Sequence, residues 1–496
     1  MSKKRAECPG CGAPVFFNID SSLVVVCENC RAIVARTELK VEEIGKVAAI
    51  AFSSSPLQLG MTGLYNGKSF HLTGRAQLKH AMGGMWDEWY VAFSNERWGW
   101  LAEAQGRFYL TFEQKLPQQA PPFSELEPGH ALAKMQRGSL VVAETGTAEY
   151  AAAEGEIPFR IEAGKTYEYA DLSGPQGEFG TLSYLTSPPT LYLGKEITLQ
   201  ELGISAEAFK AGEAKEKQVT ATKLSCPHCG GALELKAPDK AERVICQYCN
   251  SMLDVENGNF RYLETLEKFQ TPFIKLGSRG EFDGHLMTVI GYMQRSTVIE
   301  GERWRWDEYL MYHPAVGYRW LVFSDDEWLF VKPLNAGELV MSSSGRTVEY
   351  KNRNYIRVQS SVGEVEHVLG EFYWKVKVGE TVNMEDFQSG SSKISKESST
   401  YSGGGGEVNW SHGNAISHSA ICRKFGIPYS DISGGANVTP PWLIIAIVIC
   451  VILLFIWIAA ENDSGSGTYR SSGGTYRRTG GSGGWSGGFG GFGGGK

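Results

Sequence analysis

The chain has 496 residues, 42% of them hydrophobic and 21% charged, too long for one ordinary domain and apolar enough for real cores. A formal net charge of −7 and a pI near 5.8 exclude a chain-wide basic surface of the kind that grips a nucleic-acid backbone. Eight of the ten cysteines stand in C-x2-C pairs, so metal-held thiolates are expected rather than a disulfide framework.

The N-terminal stretch MSKKRAECPGCGAPV has basic residues but no apolar run behind them, so no secretory signal is expected. Cys8, Cys11, Cys27 and Cys30 follow, with 15 residues between the pairs, and define a four-cysteine ribbon over 1–36. Each C-x2-C makes a tight knuckle that turns two sulfurs toward one ion, and a hairpin returns the second knuckle to complete a tetrahedron. From 40 to 205 the chain reads as β-rich, with strands predicted at 86–94, 97–104 and 107–113 between glycine-containing turns. GLYNGKS (63–69) is one residue short of a phosphate loop and reads as a β-turn. Asp87 and Glu88 are neighbours on a predicted strand and point to opposite faces, so they form no acid/base pair. Glu88 shares its face with Trp86 and Tyr90.

A polar segment at 206–222 links this half to a second ribbon at 223–256, where Cys226, Cys229, Cys246 and Cys249 leave 16 residues between the pairs. A second β-rich domain spans 262–428, with strands predicted near 306–314, 318–323 and 327–332. His412 and His418 fall in a loop-like stretch and read as packed or solvated. Trp442 to Ala460 is 19 residues without a charge, roughly 28 Å of helix, which predicts a transmembrane span within 440–460. The last 36 residues, 461–496, contain 15 glycines and cannot bury enough to fold.

The two halves repeat. CPGCGAPVFF and VVVCENC answer CPHCGGALEL and RVICQYC, and WDEWYVAFSNERWGWL (86–101) answers WDEYLMYHPAVGYRWL (306–321). SPLQLGMTGLYNGKSFHLTG answers TPFIKLGSRGEFDGHLMTVIG, and GEIPFRIEAGKT answers GEFYWKVKVGET. The architecture is therefore mainly β: two ribbons, two duplicated barrel- or sandwich-like domains and one membrane helix.

A closed four-cysteine shell leaves no coordination position for water, so two zinc ions with a structural role are expected. Binding such an ion supplies on the order of 10 kcal/mol of folding energy. Residues 1–36 carry five basic and three acidic residues, and 223–256 carry four and five, without the clustering that phosphate reading needs. Among the acids, Glu156 answers Glu371, Glu178 is matched with Glu397, and Glu407 faces Pro188. The second domain is the fuller one, with Glu308, Glu371, Glu397 and Glu407 as candidate binding residues and no catalytic residue assigned.

These motifs together resemble the bacterial domain of unknown function 4178 family, in two copies over roughly 40–205 and 262–428. WDEY with YRWL and GEFYWKV are the most specific stretches; the first copy departs in GEIPFRI and Pro188. The resemblance implies no activity, but association with membrane-stress and membrane-remodelling systems of the PspA type and with polyamine-synthase-like genes. The resulting expectation is a non-catalytic zinc-ribbon scaffold on the inner membrane, anchored by a single span, that recruits a protein partner. The bulk of the chain would lie in the cytoplasm with a short tail outside, although Arg470, Arg477, Arg478 and Lys496 of the tail favour the opposite orientation. Two alternatives stand beside it: an enzyme or binder for a small cationic, polyamine-like substrate using the second domain's acids, and nucleic-acid binding by the ribbons.

Overall fold

Two eight-stranded antiparallel barrels, one per repeat, form the frame of the molecule. The computed structural model describes residues 4–429 apart from 19–21, 37–40, 47–54, 81–84, 96, 105–106, 116–119, 133–139, 163, 205–222, 237–240, 257–258, 268–270, 315 and 401–404. In barrel 1 a first meander holds β1 (Lys68–His80), β2 (Met85–Phe93), β3 (Trp98–Ala104) and β4 (Arg107–Gln114). A second holds β5 (Val141–Ile157), β6 (Thr166–Ser173), β7 (Glu178–Ser183) and β8 (Thr190–Ile197). The meanders join where β4 pairs with β8 and β5 with β1, which closes the wall. Closure leaves no free edges on the barrel strands.

Barrel 2 repeats the plan. Its first meander is β9 (His285–Ile299), β10 (Glu302–His313), β11 (Gly317–Ser324) and β12 (Glu327–Leu334). Its second is β13 (Arg353–Phe372), β14 (Thr381–Ser389), β15 (Ser392–Thr400) and β16 (Gly406–Ile416). β12 pairs with β16 and β13 with β9. The sequence left barrel or sandwich open; the strand pairings decide for barrels.

Local chemistry fits the turns. Asn66-Gly67 and Asp283-Gly284 both take positive φ (48° and 73°, 50° and 78°), the two-residue hairpin geometry that an Asn/Asp-Gly pair adopts without strain. GLYNGKS is thus a β-turn between paired strands. Gly74 and Gly291 serve a different need: a Cβ there would fall 2.2 and 2.7 Å from the carbonyl oxygens of Glu156 and Glu371.

Each barrel has two buried faces. In barrel 1, Trp86, Tyr90, Leu78, Tyr150 and Tyr169 pack inside, while Trp89, Val91, Leu101 and Leu110 pack outside under the segments around Leu57 and Leu199. Asp87 and Glu88 are split between these faces, since Glu88 pairs with Ala76 on the inner set and Asp87 meets Arg75 on the outer at 2.8 Å. Asp307 and Glu308 are split likewise.

The ribbons are sewn into the barrels. The sheet of the first runs past residue 36 through Val41–Lys46, and that of the second past 256 through Asn259–Thr265. Val24–Val26 adds to the end of β5, with Val25 opposite Glu156, and Arg243–Ile245 adds to the end of β13, with Val244 opposite Glu371. The barrels meet where β5 pairs with β16, Glu144 opposite Glu407, and Arg107 Nη2 donates to Asn335 Oδ1 at 2.7 Å.

The described residues up to His418 form one compact unit, and 419–429 belong to another, which holds most of a short helix, His418–Phe425. Among the described residues no helix is long and apolar enough to cross a membrane. The span expected at 440–460, the tail at 461–496 and the linker at 206–222 lie outside the described residues.

Candidate functional site

Three kinds of site follow from this frame: two thiol clusters, two ribbon–barrel seams and two barrel interiors. In each ribbon the four sulfurs lie within 4.8 Å of one another. Cys8–Cys30 and Cys11–Cys27 are 3.6 and 3.7 Å apart, and Cys226–Cys249 and Cys229–Cys246 are both 3.8 Å apart. Thiolates placed about 2.3 Å from one ion in a tetrahedron stand roughly 3.8 Å apart, so both clusters fit a metal ion. The knuckles close by Gly12 N donating to Cys8 O and Gly230 N to Cys226 O, each at 2.8 Å, with φ near +74° at both glycines. His228, inside the second knuckle, accepts or donates through Ser251 Oγ at 3.1 Å and stacks on Tyr262.

Glu371, one of the four candidates, belongs to the seam. Both its oxygens accept from Lys236 N, at 2.7 and 2.9 Å. Its counterpart Glu156 accepts from Asn18 N and Nδ2 and from Ser22 Oγ, at 2.8, 2.7 and 2.7 Å. These carboxylates fasten each ribbon to its barrel.

Glu308 and Glu397 do come together, inside barrel 2. Arg295 Nη1 lies 2.8 Å from Glu397 Oε1 and 3.4 Å from Glu308 Oε1, and its guanidinium sits 5.7 Å from the Trp306 ring centre. Trp306 Nε1 donates to Glu308 at 2.6 Å. Burial pushes the Glu397 carboxyl up to about 8, against the opposing pull of Arg295. Burial likewise raises Asp386, which takes Lys393 Nζ at 3.3 Å and the Ser395 hydroxyl. The cavity left beside this network is about 60 Å³, the space of some two waters. Glu407 borders the same cavity from the barrel junction, where it lies opposite Glu144 and accepts from Ser399 Oγ at 3.2 Å.

The corresponding interior of barrel 1 is open. Its cavity is about 380 Å³, within the usual range for small-molecule sites. Glu88, Trp100, Tyr150, Tyr167 and Tyr192 reach it from the strands, and Phe159, Arg160, Glu162 and Lys165 line its rim. Tyr150 and Tyr167 stack with centres 5.7 Å apart, and Trp100 meets Tyr192 at 4.7 Å. Burial raises the phenols of Tyr90, Tyr150, Tyr167 and Tyr192, and the Glu88 charge adds to each shift. The aromatic rings and a carboxylate together present the surface that attracts a cation. Farther along the same lumen, Tyr169 Oη donates to Glu144 Oε1 at 2.8 Å, and His80 Nε2 lies 3.3 Å from that oxygen.

The model of a family described as "Domain of unknown function (DUF4178)" matches residues 58–199 and 275–418. The chain belongs to this family. It holds two tandem copies, and each matched range lies within one repeat and takes in all eight strands of its barrel. No curated protein matches the chain. A solved structure of a transferrin-binding protein B double mutant from Haemophilus parasuis Hp5 is similar at 7% identity over 84% of this chain and 100% of that one; its TM-score of 0.10 carries no argument about the fold.

Strand register aligns the two DUF4178 copies residue by residue. Trp86, Glu88 and Trp100 fall on Trp306, Glu308 and Trp320. Asp171 opposite Thr181 matches Asp386 opposite Ser395, so Ser183, not Glu178, answers Glu397. Glu88 and the tyrosines lie outside the candidate residues that the sequence singles out. The signal was present in the inward alternation of Glu88 with Trp86 and Tyr90, but nothing in one strand says which other strands face it. His412 and His418 are packed, bonded to Ser392 Oγ and Trp328 Nε1, both at 2.7 Å.

Proposed function

We propose that this chain is a receptor for a small organic cation, taken into barrel 1. The observation that carries this reading is the 380 Å³ cavity, in which the Glu88 carboxylate is set among Trp100, Tyr150, Tyr167 and Tyr192. A carboxylate fixes the charge of the ligand, and aromatic faces repay the desolvation of an organic cation better than they do that of a hydrated metal ion. The candidate acids of barrel 2 support a different role, since Glu308 and Glu397 are engaged by Arg295.

In the same reading the ribbon metal is zinc. Four thiolates in a closed tetrahedral shell suit it, and its role is to hold each ribbon folded against the seam glutamate. Residues 442–460 tether the receptor to the inner membrane with the barrels on the cytoplasmic side, and ligand occupancy modulates recruitment of a protein partner, such as a PspA-type membrane-remodelling protein.

Calorimetric titration of the full chain with organic cations and with uncharged molecules of matching shape tests the reading. One cation is expected to bind per chain, with quenching of tryptophan fluorescence and loss in Glu88→Gln. Equal affinity for the uncharged counterparts would sink it.

A further inference from the structure

We propose that the cation taken into barrel 1 is headed by a fully methylated, quaternary ammonium group, held by the faces of aromatic rings rather than by hydrogen bonds. This rests on the receptor reading above and names its ligand class.

The duplication shows which side chains set this cavity apart. The carboxylate is common to both interiors, as Glu88 in barrel 1 and Glu308 in barrel 2. So is one tryptophan, Trp100 answering Trp320. The phenols are not shared. Tyr150, Tyr167 and Tyr192 stand where barrel 2 has Val365, Val382 and Ser411. The wall is also recessed at Ala102, where barrel 2 has Val322. Phe159 adds a ring from the rim. Rings carried by β3, β5, β6, β8 and the rim therefore border one space of about 380 Å³. Tyr150 lies 5.7 Å from Tyr167 and 6.5 Å from Phe159, centre to centre, and Trp100 lies 4.7 Å from Tyr192.

This wall suits one kind of cation. A ring face attracts positive charge without a hydrogen bond, and cages of such faces are how quaternary ammonium groups are recognised. A primary ammonium is compact and strongly hydrated, and each of its three N–H groups costs free energy when buried without an acceptor. The wall is poorly supplied with free acceptors. Of the two carboxylates that the strands bring to the lining, Glu113 is exposed, and Glu88 has an interaction of its own within the protein. Glu88 acts instead through its field. After burial itself, its charge is what raises the phenols of Tyr150 and Tyr192, and it adds to the rise at Tyr167. The two cationic lining residues belong to the rim, where Arg160 pairs with Glu42 and Lys165 with Glu162 at 3.5 Å. A trimethylammonium group has no N–H to satisfy and meets ring faces with its methyl groups.

The test is titration calorimetry of the full chain with choline, with ethanolamine as the unmethylated cation and dimethylbutanol as the uncharged isostere of choline. Wild type is expected to bind one choline per chain, and to bind both comparison molecules weaker by about tenfold or more. Tyr167→Val, which gives barrel 1 the side-chain type of barrel 2, is expected to weaken choline about tenfold in a folded chain, and Tyr167→Phe by about threefold or less. Should Tyr167→Val fail to fold, the three ligands on wild type decide alone. Ethanolamine binding as tightly as choline overturns the inference while leaving cation binding intact. Tyr167→Phe losing as much as Tyr167→Val overturns it too, because the hydroxyl rather than the ring would then hold the ligand. Dimethylbutanol binding as tightly as choline, or no binding of any cation, removes the receptor reading and this inference together.

Discussion

Barrel 1 places Ala76, Leu78 and Tyr192 where barrel 2 places Met293, Arg295 and Ser411, on strands paired in the same order. The walls are equivalent and the contents are not. Barrel 2 is closed by its own charges, with Arg295 clamped between Glu308 and Glu397 and a remaining space of about 60 Å³. Barrel 1 keeps the glutamate at 88 and opens about 380 Å³ around it. A duplicated fold thus holds the same carboxylate against an internal arginine in one copy and at the wall of a cavity in the other. What separates the two interiors is a set of inward positions on several strands, Leu78 against Arg295, Ser183 against Glu397 and Tyr192 against Ser411 among them.

What the halves share carries the largest expected effect. Removing metal from both ribbons with a strong chelator should cost on the order of 10 kcal/mol per ribbon and destabilise the β5 and β13 ends to which the ribbons are paired. Metal analysis should give two zinc ions per chain, and melting after chelation should show the loss. An absorbance band in the visible region, typical of iron–sulfur clusters, would count against zinc.

The next effect separates the barrels. Arg295→Leu leaves Glu308 and Glu397 buried without their cation and should destabilise by about 3–5 kcal/mol in urea titration. Adding Glu397→Gln to that variant should recover part of the loss, because the amide replaces a second acid beside Glu308 and can donate to it. A single change with no cost would mean that the network is more hydrated than its burial indicates.

Acid should act on barrel 1 more than barrel 2. Burial holds His80 down to about 4, whereas Thr297 stands at the matching place. A histidine depressed in the folded state contributes stability that is complete above its unfolded pKa near 6.5 and is lost as pH falls toward the folded value. The loss amounts to about 3 kcal/mol between pH 7 and 4. Urea midpoints at pH 7 and pH 5 should converge in His80→Thr; an unchanged slope would assign the acid sensitivity elsewhere.

The seam glutamates should give a smaller, local effect. Glu156→Gln or Glu371→Gln should cost about 1–3 kcal/mol. Hydrogen exchange should rise around Asn18 in the first variant and around Lys236 in the second. Uniform exchange across the whole barrel would contradict the seam assignment. Least of all, Glu88→Gln should change stability by under about 1 kcal/mol, since the side chain is only half-buried, while removing cation binding.

Much of the frame was legible in the chain. The C-x2-C pairs, the WDE and WL strands and the recurrence of the same motifs in the same order all express spacing that a linear sequence carries directly. Both thiol clusters and the meanders follow from it. The barrel order was not legible, because β4 meeting β8 and β5 meeting β1 are pairings between segments far apart in sequence. Strands with two buried faces also blur the alternation that marks inside from outside, as in β2, where Trp86 and Trp89 are both buried on opposite sides.

The same divide separates the acids. Sequence alone established that Asp87 and Glu88 point apart and that Glu156 and Glu371 are equivalent, since alternation and repetition are one-dimensional facts. Only the tertiary structure decided that Glu371 fastens a ribbon, that Glu308 and Glu397 share an arginine, and that Glu88 looks into an aromatic cavity. The role of a buried carboxylate depends on the cation or space that other strands bring to it, and those strands are chosen by closure of the barrel.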